Sequence, residues 1–408
     1  MLDQTFSPRN LLRLLYKEDP KKFLRNIDRE DYESEMIKLS QIINDDKFSF
    51  GKFSFASINN KKVIIPNEFK DILALRKAND NLKRIYGVKQ SDRNDIVRHV
   101  ICMLEEPVPF FVYKLDIKDF YESINKNKIL DKIAKSSIVS YKTKRLIKRF
   151  FELSHLSTES GVPRGIGLSA TMAELYLEDF DDKVKRTKSV FYYARYVDDI
   201  IIFTCEKIND FQNFFKGLLQ ENLDFNISKC REIDIHNNEK GMVANEFNYL
   251  GYCFCVRSGK IKASDKRDVK VTISKKKILK LKRKIVLSLK DYCNTNNFAL
   301  LEKRIKFLTS NVILEKAKKV SDEESSPLYS GVYYNYLHIR SYDQLKILDL
   351  FKNKMLFSCR GSLGSQLINK GDRDLLRSLR KYSFLSGFNN RRKVSFTFKE
   401  INDIRRCW

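Results

Sequence analysis

The chain has 408 residues but only four histidines and no Cys-x-x-Cys pair. Zinc sites draw on closely spaced cysteines and histidines, so neither a zinc module nor a zinc nuclease is expected. The eight cysteines are scattered. Cys253 and Cys255 alternate within an apolar run, as strand residues do, and read as buried thiols of a reducing compartment rather than part of a disulfide framework. Glycine (14) and proline (7) are scarce, so most of the chain is expected to be ordered. No internal repeat or low-complexity linker interrupts it. No apolar run reaches the roughly 18–20 residues that cross a bilayer. The N-terminal MLDQTFSPRNLLRLLYKEDPKKF is charged where a signal peptide has an apolar core. A soluble, cytoplasmic protein is expected.

Acidic residues are the other deficit: 52 stand against 78 lysines and arginines, a formal net charge of +26. Neutralising phosphates releases condensed counterions, so such an excess suits a nucleic-acid partner. A lysine-favouring proteome is the competing source of the same excess. The 42% hydrophobic content is that of a globular protein with a sizeable core and two or three domains.

Residues 1–70 read as helices followed by irregular basic segments. Residues 92–105 carry a helical stripe at Ile96, Val100 and Leu104. Residues 110–117 (FFVYKLDI) have the aromatic and β-branched content of a strand, and 169–184 have helical periodicity. In 191–204 (FYYARYVDDIIIFT) two apolar runs flank Asp198-Asp199, which predicts a tight hairpin with its acids at the turn. Residues 246–256 predict a further strand or hairpin. Ile278, Leu281, Ile285 and Leu289 line one face of a lysine-rich amphipathic helix, whose other face suits either a phosphate backbone or water. Residues 320–331 (VSDEESSPLYSG) read as an exposed loop or linker. Basic helical pieces follow, GDRDLLRSLRKYSFL and a final RRKVSF among them.

An Asp-Asp pair means little alone, since Asp45-Asp46 and Asp181-Asp182 also occur. Asp198 and Asp199 differ by lying between two apolar runs, where adjacent carboxylates are costly unless cations neutralise them. Asp116 also ends an apolar strand, in FVYKLDIKDFY. Three carboxylates at strand ends form a hard-oxygen set suited to a pair of magnesium ions that retain waters and substrate phosphates. Two such ions about 3.5–4 Å apart activate an attacking hydroxyl and stabilise a leaving oxygen.

LDIKDFYESI, GVPRGIGLSATMAELYL, ARYVDDIIIF, FNISK and FNYLGY occur in this order. Together they resemble the consecutive palm motifs of reverse transcriptases over about residues 76–255. Each piece is weak, but the ordered set is specific. The resemblance implies an α+β protein with right-handed fingers, palm and thumb, a ferredoxin-like palm sheet, and a helical thumb and C-terminal region. Its implied divisions are an N-terminal extension (1–75), fingers and palm (76–255), a basic helical thumb (256–345) and a C-terminal helical extension (346–408).

The resemblance also implies roles. Asp116, Asp198 and Asp199 hold two Mg²⁺ ions, or Mn²⁺, with the Ile117 carbonyl as a further ligand. Tyr121 is a steric gate under the sugar 2′ position, which favours deoxynucleotides. Lys229 is a general acid toward pyrophosphate. Phe247, Leu250 and Gly251 belong to a primer-grip hairpin. Arg76, Arg84 and Arg93 are candidate triphosphate ligands from the fingers, since arginine binds phosphate bidentately. Arg164 and Gly165 lie beside the incoming nucleotide.

Two departures stand out. The family's usual Pro-Gln-Gly is Pro163-Arg164-Gly165, and its Ser-Pro is Ser169-Ala170. An arginine at 164 adds a cation near the base pair or phosphates and leaves template dependence open. These changes bring the sequence closer to bacterial defence-associated and abortive-infection reverse transcriptases. MLDQTFSPRN and SGVYYNY are similar to polymerases of the type 3 defence systems. The roughly 150 residues after the primer grip carry no His-rich endonuclease pattern and no second carboxylate cluster for RNase H.

The expected activity is RNA-directed DNA synthesis from a primer 3′-hydroxyl, in antiphage defence. The expected partners are an RNA template from a dedicated non-coding RNA, the DNA product, a second defence-system protein and further copies of the chain, with no membrane. The alternatives are an untemplated or protein-primed nucleotidyl transferase on the same palm and a non-catalytic RNA-binding scaffold.

Overall fold

The computed structural model of the chain describes residues 2–16, 18–24, 31–58, 60–153, 156, 160–235, 243–258, 265–313, 329–370 and 372–408. They divide into two compact units. One is drawn from Met1–Asp92 and Pro109–Asp234, the other from Arg93–Val108, Ile235–Glu315 and Ser326–Trp408.

The first unit is built on a four-stranded sheet. Its strands are β3 (Phe110–Asp116), β4 (Val190–Tyr196), β5 (Asp199–Thr204) and β6 (Arg231–Ile235), in the order β4-β5-β3-β6. The long helix Gly167–Lys185 lies between β3 and β4 in sequence, and Phe211–Leu218 lies between β5 and β6. That is the split β-α-β-β-α-β pattern of a ferredoxin-like sheet, as expected. Ile200–Phe203 are all fully buried, so β5 is apolar without alternation. β3 and β5 pair antiparallel, and their register sets Asp116 opposite Asp199.

Helices Phe69–Ile85 and Tyr141–Phe151 bury Leu75, Ala78 and Leu82, and Leu146, Ile147 and Phe150, in the core that also takes in the sheet. These apolar spacings of three and four residues put each stripe on one helix face.

Residues 45–66 are not irregular throughout. Phe53–Ile58 (β1) and Lys61–Pro66 (β2) form an antiparallel hairpin, with Phe55 opposite Ile64. Asn60, at φ 60°, turns the chain in the left-handed region that asparagine tolerates.

In the second unit the expected stripe Ile96, Val100 and Leu104 is buried along the helix Arg93–Glu105. β7 (Val243–Tyr249), β8 (Tyr252–Ser258) and β9 (Val269–Ile273) form an antiparallel meander. The amphipathic helix spans Lys275–Thr295 and buries Ile278, Ile285 and Leu289, while Leu281 is half-buried. Most of the expected loop 320–331 lies outside the described residues. Its end, Tyr329–Gly331, is a strand beside Asn311–Ile313. The final basic piece is not helical: Lys393–Val394 is a strand parallel to Asn311–Val312. No helix among the described residues is long and apolar enough to cross a membrane.

Candidate active site

The β4–β5 hairpin turns through Val197 and Asp198, with Val197 at φ 61°. A β-branched residue rarely adopts that conformation, at a cost of about 1–3 kcal/mol. Two hydrogen bonds hold the turn. Arg195 Nη1 donates to the Val197 carbonyl at 3.1 Å, and the Ile117 amide donates to the Asp198 carbonyl at 3.3 Å. The sequence thus brings Asp116, Ile117, Asp198 and Asp199 to one end of β3 and β5.

Burial, then the charge of Asp116, raises the pKa of Asp198. Burial, then the charge of Asp198, pushes Asp199 up to about 6. Lys229, in the short turn Ile227–Lys229, donates to Asp116 Oδ1 at 2.7 Å and Oδ2 at 3.0 Å. That hydrogen bond, with the surrounding aspartate charges, raises the lysine pKa.

Three mutually repelling carboxylates with one ammonium between them leave an excess negative charge. Their hard oxygens fit a divalent cation of the magnesium class. Among the described residues, no group of three His, Cys, Asp or Glu side chains is already drawn together as a metal cage.

Tyr121 follows Asp116 by five residues on the short helix Phe120–Ser123 and is half-buried. Burial raises its pKa. The Arg164 guanidinium lies 4.8 Å from the centroid of its ring. The same guanidinium forks onto Glu122, with Nε to Oε1 and Nη2 to Oε2 both 2.9 Å. Arg164 therefore carries its cation paired with the Glu122 carboxylate. Gly165, at φ 95°, packs where a Cβ would come within 2.5 Å of Val63 Cγ1.

Arg76 is bound elsewhere in this unit. It donates to both carboxylate oxygens of Asp19 and to the Leu14 carbonyl, and lies over the Tyr16 ring at 4.2 Å. Arg84 is exposed and lies 3.9 Å from Asp80 one helical turn away.

Sequence reasoning missed the support behind the turn. Arg195, only 6% exposed, donates to Asp181 at 2.9 and 2.6 Å and to Glu174 at 2.8 Å. Burial alone would lower its pKa, but the hydrogen bonds and charge of Asp181, with Glu174, raise it instead. An arginine inside the apolar run FYYARYV was the available signal, because a buried cation requires acidic partners. Lys61 was also missed. It donates to Asp119 at 2.6 Å and lies 3.4 Å from Glu122.

In the second unit, Leu250 and Gly251 make the β7–β8 turn at φ 45° and 84°, the left-handed pair that a two-residue hairpin requires. Arg93 caps that turn, donating to the Leu250 carbonyl at 3.0 Å from Nε and 2.6 Å from Nη2. Its guanidinium also lies 5.0 Å from the Tyr252 ring centroid. Arg93 is thus bound to the β7–β8 hairpin. Phe247 is buried and stacks on Phe254 at 5.2 Å.

A ferredoxin-like sheet with this aspartate-bearing hairpin belongs to a right-handed polymerase fold of the nucleotidyltransferase class. More particularly, residues 73–254 match the family described as reverse transcriptase (RNA-dependent DNA polymerase), so the chain carries a reverse transcriptase domain. No curated protein matches the sequence.

Matching solved structures include apo telomerase from Candida tropicalis, at 14% identity, covering 88% of this chain and 62% of that one, with a TM-score of 0.37. A version truncated at its C-terminal domain matches at 14% identity, 61% and 62% coverage and a TM-score of 0.36. Candida albicans telomerase with a fragment of telomeric RNA matches at 12% identity, 90% and 64% coverage and a TM-score of 0.34. The chain spans less than two thirds of the length of these telomerase chains.

Proposed function

We propose that this protein is an RNA-directed DNA polymerase that adds deoxynucleotides to a primer 3′-hydroxyl. The observation that carries the reading is the register of Asp116 against Asp199, with Asp198 at the adjacent turn, inside the reverse transcriptase domain. Asp116, Asp198 and Asp199, with the Ile117 carbonyl, would hold two magnesium ions. Bound there, such ions supply activation of the attacking hydroxyl and stabilisation of the leaving pyrophosphate.

The chain's own residues do the rest. Arg195 and the Ile117 amide fix the turn that carries Asp198. Lys229 lies beside Asp116 and can deliver a proton to the departing pyrophosphate. Tyr121 blocks a 2′-hydroxyl, so deoxynucleotides are preferred. Phe247, Leu250 and Gly251 grip the primer. Of the three fingers arginines, Arg84 is the one open to a triphosphate. The lysine face of Lys275–Thr295 suits a nucleic-acid backbone. Residues 76–255 serve as fingers and palm, 256–345 as thumb and 346–408 as a C-terminal extension.

The biological setting we propose is cytoplasmic antiphage defence, with a dedicated non-coding RNA as template and a second defence protein as partner. A second reading, untemplated or protein-primed transfer, is favoured by one observation. Arg164 replaces the usual glutamine and is bound to Glu122.

Sequencing the RNA that copurifies with the native protein, and the DNA it makes, separates the two. DNA complementary to that RNA supports templated synthesis. DNA with no complement in it supports the second reading.

A further inference from the structure

We propose that Glu122 and Arg164 are positioning residues that hold the Tyr121 ring in its gating orientation, so that sugar selection depends on their ion pair. The inference rests on reading Tyr121 as the gate and goes beyond it in naming what makes the gate rigid.

A steric gate discriminates only if its ring cannot swing aside when a 2′-hydroxyl presses on it. A lone half-buried tyrosine can rotate. Here the guanidinium covers the ring at 4.8 Å, and two parallel 2.9 Å hydrogen bonds to Glu122 hold the guanidinium. A bidentate fork fixes the plane as well as the position of an arginine. The plane in turn favours the ring face beneath it. Burial alone would raise the pKa of Glu122, but the hydrogen bond from Arg164 brings it below the usual range, so the carboxylate stays charged.

The backbone locks both ends of this arrangement. The Val162 amide donates to the Tyr121 carbonyl at 2.9 Å. Gly161 approaches so closely that a Cβ would lie 2.4 Å from the Tyr121 oxygen and 2.6 Å from Glu122 Cα. On the other side, the Ile64 amide of β2 donates to the Arg164 carbonyl at 2.9 Å. Lys61, on the same strand, reaches Glu122 at 3.4 Å. The 161–165 loop is thus pinned between the gate and the β1–β2 hairpin. Glutamine at 164 would have neither the charge for the ring face nor the second donor nitrogen that makes the two parallel bonds of the fork. Substituting arginine at this position therefore changes how the gate is braced, and Glu122 is its necessary partner.

The test measures kcat/KM for matched deoxy- and ribonucleotides with wild-type protein and the Tyr121→Val, Glu122→Gln and Arg164→Lys variants, each checked by thermal melting. Glu122→Gln keeps the side-chain shape but removes the charge that anchors the fork. Arg164→Lys keeps the charge but cannot form the fork. Both are expected to lower the deoxy-to-ribo ratio about tenfold, the scale of one charge-assisted hydrogen bond, chiefly through a lower ribonucleotide KM. Glu122→Asp is expected to recover part of the ratio. A purely structural role would lower the melting temperature and leave the ratio alone.

If Arg164→Lys does not fold, Glu122→Gln decides. A folded Glu122→Gln protein with wild-type discrimination, alongside a Tyr121→Val protein that has lost it, overturns the inference and spares the gate. Unchanged discrimination in Tyr121→Val overturns the gate, and the inference with it.

Discussion

Replacing Arg195 with methionine isolates the support behind the catalytic turn. The guanidinium is 6% exposed and donates four hydrogen bonds: two to Asp181, one to Glu174 and one to the Val197 carbonyl. Methionine fills much of the volume but leaves two largely buried carboxylates without their cation. Removing one partner of a buried ion network costs about 3–5 kcal/mol, mostly because the remaining charge is uncompensated. In a unit of this size that corresponds to a fall in Tm on the order of 10 °C. The cost should be recovered largely by adding Asp181→Asn and Glu174→Gln, which remove the orphaned charges. The turn would still lack the donor to Val197, whose left-handed φ is itself strained, so nucleotide incorporation should stay low in the rescued triple variant. Urea unfolding of the single and triple variants, followed by incorporation assays, gives both readouts. A single variant that loses less than about 1 kcal/mol, or a stabilised triple variant with wild-type incorporation, would refute the reasoning.

Three further outcomes follow from the same geometry. Asp71 is fully buried, and burial raises its pKa from 3.8 to about 6 despite the Gly51 amide that donates to it. The folded protein therefore holds this proton more tightly than the unfolded chain, and the charged form opposes folding. The stability of Asp71→Asn relative to wild type should rise by about 3 kcal/mol between pH 3 and pH 7 and then level off, as measured by urea unfolding at each pH. Gly165→Ala should cost about 1–3 kcal/mol, because it forces a side chain onto φ 95° and into Val63, and its melting curve should show this. Lys229→Ala should slow single-turnover incorporation roughly 100-fold, the scale of a lost general acid, while the protein stays folded.

What the sequence made legible was whatever left a period or an ordered motif. β3, β5 and the helix Gly167–Lys185 bury continuous or regularly spaced apolar residues, so their type and rough limits were readable. The β1–β2 hairpin was not, because Phe55, Ile58 and Ile65 are exposed and its alternation matches no single buried face. Lys393–Val394 is too short to leave any periodicity and exists only because Asn311–Val312 lies beside it. The carboxylates could be selected from sequence, since each interrupts or ends an apolar run. Their supports could not, because partnership is set by the fold. Nothing local separates Arg76, which is bound to Asp19, from the exposed Arg84. Arg164 stands out in the sequence as a departure from the usual glutamine. Its partner Glu122 is 42 residues away, and only the structure brings the two together.

The central claim is that Asp116, Asp198 and Asp199 form the metal-dependent centre of a DNA-synthesising polymerase. The most direct measurement is deoxynucleotide incorporation by the purified, RNA-bound protein, with and without magnesium, for wild type and Asp198→Asn. Wild type should incorporate only with magnesium, and the variant should fold, retain RNA and incorporate nothing. Equal incorporation by the variant, or incorporation indifferent to the metal, would contradict it.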